Sequence, residues 1–594
     1  MKKYILTAVL ATTSPIAIAQ NSAPPTVDES IAPSVQDDMA GEPVKAGVPS
    51  EIETRIMDDA LERALSSDVH ASVIEGARRA YVQTMFEPIW TREGVEQLEG
   101  MTSELSEYGL TTDEVVQADL EALESHRFTK GSEATQAQAD LALTEAWLKI
   151  AAAVGGGLAD EGAADTSNKA AASYALLPEK LIEAGKGQPG QALQAFEPSV
   201  PEYSALKDTL QTYRTIREDG GWLAIPEGDV IETGDTDPRV PAIRERLAAE
   251  GYDASRSAFS IVSALVDAGW METTSDTAES GQDTTEKLID PNLYDEELSE
   301  AVKAFQTRHG VKIDGVFGPG TRSAMNESVD SKISRIEDSM KRWRRLSPIS
   351  DRYIWVNIPS YRVEGWKDGE RGIVTKAIMG QPNHETPTFS DKVEYAVANP
   401  RWYVPSSITR EETAPKLAKD AGYAARNNLM VRDRETGETV SPMRVNWNSP
   451  DVAEKYRLIQ QPGPGNALGQ VKLIFPNNKA IYMHDTPADH LFDRDQRAFS
   501  HGCIRLEKPI EMARWIASMD STTDADRLER TIEEGDDRTR FDFKTPVPVH
   551  ITYMTVTVDE EGEASFWRDI YNRTDGISPV EEVANAQPED LERG

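Results

Sequence analysis

From about Glu51 to Glu218 apolar residues return every three or four positions, and strand-like alternation is nearly absent. The clearest run is Asp140 to Ile150, with apolar residues at i, i+3, i+4 and i+7, the period of one helix face. Tyr81–Trp90 and Tyr203–Ile216 read as further helical pieces, punctuated by Gly155-Gly156-Gly157 and Pro198-Ser199-Val200-Pro201. A second unit starts near Pro238 with a helix over 240–251, carrying Ile243 and Leu247 on one face. It continues with an amphipathic helix from Leu298 that stops at Gly310. A tight Gly/Pro turn over 313–321 and another short helix follow. Between its halves, 272–288 is rich in Thr, Ser and acidic residues without periodicity, the pattern of a flexible loop. From about Arg352 the pattern changes to strands: Arg352–Pro359, Val393–Val397, Val471–Phe475, Ala480–Met483 and Val549–Val558. Helical and irregular sequence from Ile408 to Gln461 interrupts them, the place for a lid, and 509–519 reads as one helix. The fold class is therefore multidomain α+β. It has a helical scaffold over 51–237, a small helical unit over 238–330, and a β-rich domain over 331–575 with an insertion at 409–460. A polar, acidic tail follows over 576–594.

The N-terminus changes this picture by assigning a compartment. Met1-Lys2-Lys3, an apolar stretch from Tyr4 to about Ala11, and Ala17-Ile18-Ala19 form the three-part pattern of a secretory signal over 1–19. Residues 20–50, rich in Pro, Ser, Ala and acidic residues, read as a disordered leader. The apolar stretch is short of the roughly 20 residues a membrane span requires, and no other segment supplies a transmembrane helix. The cleavage region holds no cysteine for lipid attachment. The expected location is the periplasm. Lys and Arg number 63 against 101 Asp and Glu, a net charge of −38, which argues against nucleic acid as a partner and for solubility.

Cys503 is the single cysteine of the chain. An exported protein with one cysteine forms no internal disulfide, so the thiol requires another purpose. It lies in Ser500-His501-Gly502-Cys503-Ile504-Arg505. His484, His490 and His501 fall within 18 residues ending two before it. A thiol titrating near pH 8.5 needs a neighbouring base to act as a nucleophile, and His484, ending a strand-like run before Asp485-Thr486-Pro487, is positioned as that base. Gly502 lets the backbone approach a substrate, and the N–H groups of Gly502 and Cys503 are candidates to hold an oxyanion. Arg505 is a candidate partner for a substrate carboxylate. Two blander readings stay open: a buried structural cysteine, and a zinc site of His484, His501 and Cys503, although the spacing matches no common zinc motif. His490 reads as a surface residue and His384 as structural; His70, His126, His309 and His550 carry no signal.

His484, fifteen intervening residues and Ser500-His501-Gly502-Cys503-Ile504-Arg505 resemble the signature of the L,D-transpeptidase (YkuD-type) catalytic domain. Further segments are similar to the large multidomain, YcbB-like branch of that family. They include Tyr353–Pro359, Asn399–Ile408, Gln461–Gly469, Gly220-Gly221-Trp222 and Glu87-Pro88-Ile89-Trp90. Phe305-Gln306 with Asp314-Gly315-Val316-Phe317-Gly318 resembles the small three-helix peptidoglycan-binding domain, with a spacer that has lost its ligand as the alternative. The resemblance implies Cys503 as nucleophile and His484 as proton donor and acceptor, with His501 and Gly502 in the site wall and oxyanion region. It implies substrate-contacting or supporting roles for Arg505, Ser500, Tyr482 and Trp402, and a capping subdomain at 409–460. The implied reaction forms 3→3 cross-links between diaminopimelate residues of peptidoglycan stem peptides in cell-wall synthesis, without metal or organic cofactor. Implied partners are stem peptides and glycan-polymerising cell-wall synthases. Two alternatives share the chain's features: a carboxypeptidase, exchange or lipoprotein-tethering enzyme with the same nucleophile, and a non-catalytic wall-binding scaffold.

Overall fold

The computed structural model describes residues 47–65, 69, 71–111, 115, 120–156, 175–252, 290–346, 350–420, 422–535 and 538–574. The signal segment 1–19, most of the 20–50 leader, the 272–288 loop and the 576–594 tail lie outside them. The chain is multidomain α+β, with a helical scaffold, a small helical domain and a β-rich domain. Among the described residues no helix is long and apolar enough to cross a membrane.

The scaffold forms around the helix Glu133–Gly155, which is buried on most of its circumference. Ser132 caps its start by accepting the Thr135 N–H. Gly156 ends it at φ +69°, where an added Cβ would stand 1.9 Å from the Arg344 carbonyl oxygen, so glycine alone fits. Asp140, wholly buried in this helix, accepts from the N–H groups of Ile89 and Trp90 and from Tyr81, and pairs with Arg127. That carboxylate explains a departure from the helix read over 81–90. The helix Ala71–Gln83 stops early, Met85 and Phe86 turn through positive φ, and the 89–90 backbone donates to Asp140 instead. The first helix, Val48–Met57, takes in the last three residues of the stretch read as a leader.

In the small domain, the Gln306 side chain organises the glycine turn. Its oxygen accepts from the N–H groups of Asp314 (3.0 Å) and Gly315 (2.8 Å), and its nitrogen donates to Val316 O and Thr321 Oγ1. The Phe-Gln and Asp-Gly-Val-Phe-Gly motifs thus serve the fold itself. The helix Val329–Arg345 joins this domain to the rest, packing on Pro201–Glu218 and on the apolar residues Trp355, Met554, Val556 and Phe566.

The β-rich domain contains β1 (Arg352–Asn357), β2 (Arg362–Lys367), β3 (Glu370–Gly380) and β4 (Phe389–Ala398). The segment just before the insertion supplies β5 (Trp402–Tyr403), and the insertion supplies β6 (Leu429–Asp433), β7 (Thr439–Val440) and β8 (Tyr456–Gln460). After it come β9 (Val471–Ile474), β10 (Met483–His484), β11 (Ala498–Ser500), β12 (Ile504–Leu506) and β13 (Thr539–Thr552). A hairpin of β14 (Val556–Val558) and β15 (Ala564–Phe566) closes the described chain. The main sheet runs β11-β3-β12-β10-β9-β4-β13-β1-β2, and β2 also pairs with β3. Eight strands therefore close on themselves, which removes exposed edges. The insertion is more ordered than the sequence pattern indicates. It forms its own sheet, β5-β8-β6-β7, over a core that includes Val404, Leu417, Val431, Trp447 and Leu458.

Candidate active site

Strand register assembles the site. Met483 and His484 pair in parallel with Ile504 and Arg505, and antiparallel with Leu473 and Lys472. Side chains alternate across a sheet. Met483, Ile504, Leu473 and Ile481 therefore enter the core, where all four are buried. Lys472, His484 and Arg505 fall in one row on the other face. Tyr482 and Cys503, two positions before His484 and Arg505, share that face, and the Ile504 N–H donates to the Tyr482 carbonyl at 3.1 Å. The Tyr482 ring lies 5.6 Å from that of His484, and the Lys472 ammonium 5.4 Å from the Tyr482 centroid. Cys503 is half-buried, with Sγ 3.7 Å from the Ala480 carbonyl oxygen.

The loop before the thiol is held from beneath. Ser500 is buried, its hydroxyl donating to the Cys503 carbonyl (2.5 Å) and accepting the Gly502 N–H (3.1 Å). Of the two roles open to Ser500, contact with substrate or support, this geometry is support; the Gly502 N–H differs from its expected part in an oxyanion site. Ser500 is sequestered from any substrate, because both its bonds serve the loop, and the Gly502 N–H is already spent and unavailable to an oxyanion. Thr386 adds a bond to the Gly502 carbonyl, and its hydroxyl accepts the Gly380 N–H. Gly502 has φ +105°, and a Cβ there would stand 3.2 Å from Ile481 Cδ1. Among the described residues, the Tyr482 N–H and hydroxyl are the hydrogen-bond donors that act on the thiol.

His484 is buried and its Nδ1 lies 2.5 Å from the Asp485 carbonyl oxygen. A carbonyl only accepts, so Nδ1 carries the proton and Nε2 is the free base. Burial, then Arg505 and Lys472, push the imidazole pKa down to about 3. Burial pushes the Cys503 thiol up, against contributions from the Tyr482 N–H and hydroxyl, Arg505 and Lys472. Both shifts favour a neutral thiol and a neutral imidazole over an ion pair.

The insertion reaches this loop through Glu412, whose carboxylate lies 2.9 Å from His501 Nε2 and is held below its usual pKa by that bond. The His384 ring stacks obliquely on His501 at 4.6 Å, a neighbour that its sequence context did not signal. Trp402 belongs to the insertion's sheet, pairing with Gln460 and packing on that subdomain's core. His490 is exposed in a short helical turn. No group of three or more His, Cys, Asp and Glu side chains arranged to hold a metal ion occurs among the described residues, and His501 is engaged by Glu412. Sequence reasoning missed Lys472 and Glu412; neither lies in a motif, and only register and the fold of the insertion bring them here.

Residues 351–550 match the family described as "L,D-transpeptidase catalytic domain" (YkuD), 75–210 match "Scaffold domain", and 236–325 match "Putative peptidoglycan binding domain". A protein of Haemophilus influenzae named "Putative L,D-transpeptidase" is 33% identical over 230 residues, covering 38% of this chain and 46% of that protein. The match thus spans about half the length of that relative. Among solved structures, an L,D-transpeptidase from Mycobacterium smegmatis aligns at 15% identity over 34% of this chain and 58% of that one, with a TM-score of 0.16. L,D-transpeptidase 3 from Mycobacterium tuberculosis, in complex with a faropenem-derived adduct, aligns at 15% identity over 35% and 65%, with a TM-score of 0.17. Scores this low carry no argument about the site. The chain carries a catalytic domain of the L,D-transpeptidase (YkuD) family over residues 351–550, preceded by a scaffold domain and a peptidoglycan-binding domain.

Proposed function

We propose that the protein joins diaminopimelate residues of two peptidoglycan stem peptides in a 3→3 cross-link, through a thioacyl intermediate on Cys503, with His484 moving the protons. The observation that carries this reading is the bond from His484 Nδ1 to the Asp485 carbonyl, which leaves Nε2 without a proton on the sheet face that bears the thiol. His484 Nε2 takes the Sγ proton as sulfur attacks the carbonyl of the third stem residue. The Cys503 N–H and the Tyr482 hydroxyl receive the developing oxyanion. The imidazolium then gives its proton to the departing amine of the terminal D-alanine. In the second half, the side-chain amine of a diaminopimelate on another stem attacks the thioester. Its proton passes to His484 and from there to the leaving sulfur. The insertion, bound to the catalytic loop through Glu412, limits access of water to the thioester. The lysine-containing N-terminus, 1–19, directs the chain to the periplasm, where this substrate lies.

Intact mass spectrometry after incubation with a disaccharide-tetrapeptide tests the reading, wild type beside Cys503→Ala. A Cys503-dependent adduct with diaminopimelate–diaminopimelate dimers is the expected result. An adduct yielding tripeptide alone makes the enzyme a carboxypeptidase, and folded protein without adduct or product overturns the catalytic reading.

A further inference from the structure

Lys472 lies in no sequence motif, yet register sets it beside the proposed base. Across three neighbouring strands the order is Arg505 on β12, His484 on β10 and Lys472 on β9. Neighbouring strands are about 4.8 Å apart, so two cations flank one imidazole on the face that carries Cys503. In a chain with 101 acidic residues against 63 basic ones, a cation at such a place ordinarily finds a carboxylate. Among the described residues Lys472 finds none: the titratable groups acting on it are Arg538 and the Cys503 thiol. Arg505 likewise pairs with no carboxylate among the described residues. Its Nε is buried without a hydrogen-bond partner, and the nearby Glu412 is bound to His501. Burial and Arg538 push the Lys472 ammonium below its usual pKa, the condition of a cation that lacks its anion.

The direction across the sheet says which anion. The scissile carbonyl must sit at Cys503 on the β12 side, and the departing amine must reach His484 on β10. Continuing the same way leads to Lys472 on β9. In an amino acid the carboxylate stands two bonds beyond the amine, about 1.5 Å each. We propose that Lys472 is a specificity residue that binds the free carboxylate of the departing amino acid. The site then accepts a donor in which a single residue follows the scissile bond. A donor longer by one residue moves its carboxylate about 3.5 Å further out, past the ammonium, and places an uncharged amide against it. The carboxylate also neutralises part of the positive field that keeps His484 from accepting a proton, so the correct donor favours its own attack. This assignment rests on the transpeptidase reading above.

The test compares two donors, tetrapeptides ending in a carboxylate or in a carboxamide, in wild type, Lys472→Met and Lys472→Arg. The readout is the Cys503 acylation rate per donor concentration, followed by intact mass. Wild type is expected to prefer the free acid by about 10- to 100-fold, the value of a charge-assisted hydrogen bond in a partly buried site. Lys472→Met is expected to bring that ratio near one, and Lys472→Arg to keep most of it. Lys472→Gln replaces Lys472→Met where circular dichroism shows that variant unfolded. An unchanged ratio in the charge-removing variant, with wild type still acylating, overturns the Lys472 assignment and leaves the transpeptidase reading intact. Wild type that forms no adduct with either donor overturns both.

Discussion

The Ser500 hydroxyl donates to the carbonyl of Cys503 while accepting the N–H of Gly502, so one buried side chain closes the loop beneath the thiol. The backbone atoms it engages belong to Cys503 and its neighbour. Ser500→Ala leaves a buried carbonyl and a buried N–H without partners, which costs about 1–3 kcal/mol each where water does not enter. The expected outcome is a fall in acylation kcat of about tenfold or more with KM little changed, because the loop rather than the substrate contact is lost. A change confined to KM would mean that Ser500 touches substrate after all.

The pH dependence of the thiol separates a neutral resting pair from an ion pair. With His484 titrating at about 3 and Cys503 above its usual range, neither group changes charge between pH 5 and 8. The rate of alkylation by iodoacetamide, without substrate, is expected to rise steadily with pH and to show no thiolate plateau near neutrality. A plateau from acid to neutral pH would establish a thiolate–imidazolium pair instead. The same shift has a stability consequence. A lowered imidazole pKa means the unfolded chain binds the extra proton between about pH 6.5 and 3, so stability falls as pH drops through that window. His484→Gln is expected to lose less stability than wild type over it, measured by thermal melts at pH 6.5 and 4.

Glu412 and His501 tie the insertion to the loop before Cys503, and each is about one-third exposed, so the contact is worth no more than about 1 kcal/mol. That is enough to shift an opening equilibrium about fivefold. Glu412→Gln is expected to speed amide exchange across 402–460 by that factor and to raise the fraction of thioester lost to water. The carboxylate holds a proton less readily than usual because of His501, so the tie is complete above the ordinary glutamate range and is lost as pH falls through the lowered value. Exchange that is unaltered by Glu412→Gln would show that apolar packing alone keeps the insertion in place.

The features legible in the sequence were those whose signal is local. The helix through Leu143, Trp147 and Ile150 follows from period, and the thiol with its upstream histidine from motif spacing. What was missed depends on groups distant in sequence. The strands Leu429–Asp433 and Tyr456–Gln460 are separated by 22 residues between their facing ends and carry no tight-turn signal, so in sequence the insertion reads as helical and irregular. Lys472 looks like an ordinary solvent-facing position of an alternating strand until His484 is paired with it. Ser500 looks like a site residue because it adjoins the thiol, and only its burial shows that it works on the backbone.

His309 carries no signal in the sequence, yet it lies in a buried cluster with Arg246, Glu250 and Lys332, where the small domain meets the rest. Its Nδ1 contacts the Phe305 carbonyl at 2.8 Å and its Nε2 lies 2.8 Å from Lys332 Nζ, while Lys332 also bonds Glu250. Arg246 pairs with the same carboxylate at 2.6 Å and lies 3.5 Å over the Trp222 ring, and the Tyr213 hydroxyl donates to it at 2.6 Å. Burial opposes the charge on Glu250, and Lys332 and Arg246 more than offset that, holding it well below the usual carboxylate range. Glu250 is therefore the hub: one carboxylate answers two buried cations. Glu250→Gln leaves both uncompensated and is expected to cost about 3–5 kcal/mol. Lys332→Met is expected to cost less, because Arg246 still answers the carboxylate. The double variant is expected to lose less than the sum of the two, since with Glu250 neutral Lys332 is itself a liability. Calorimetric unfolding of the three variants checks this, and strict additivity would show that the cluster does not act as one unit.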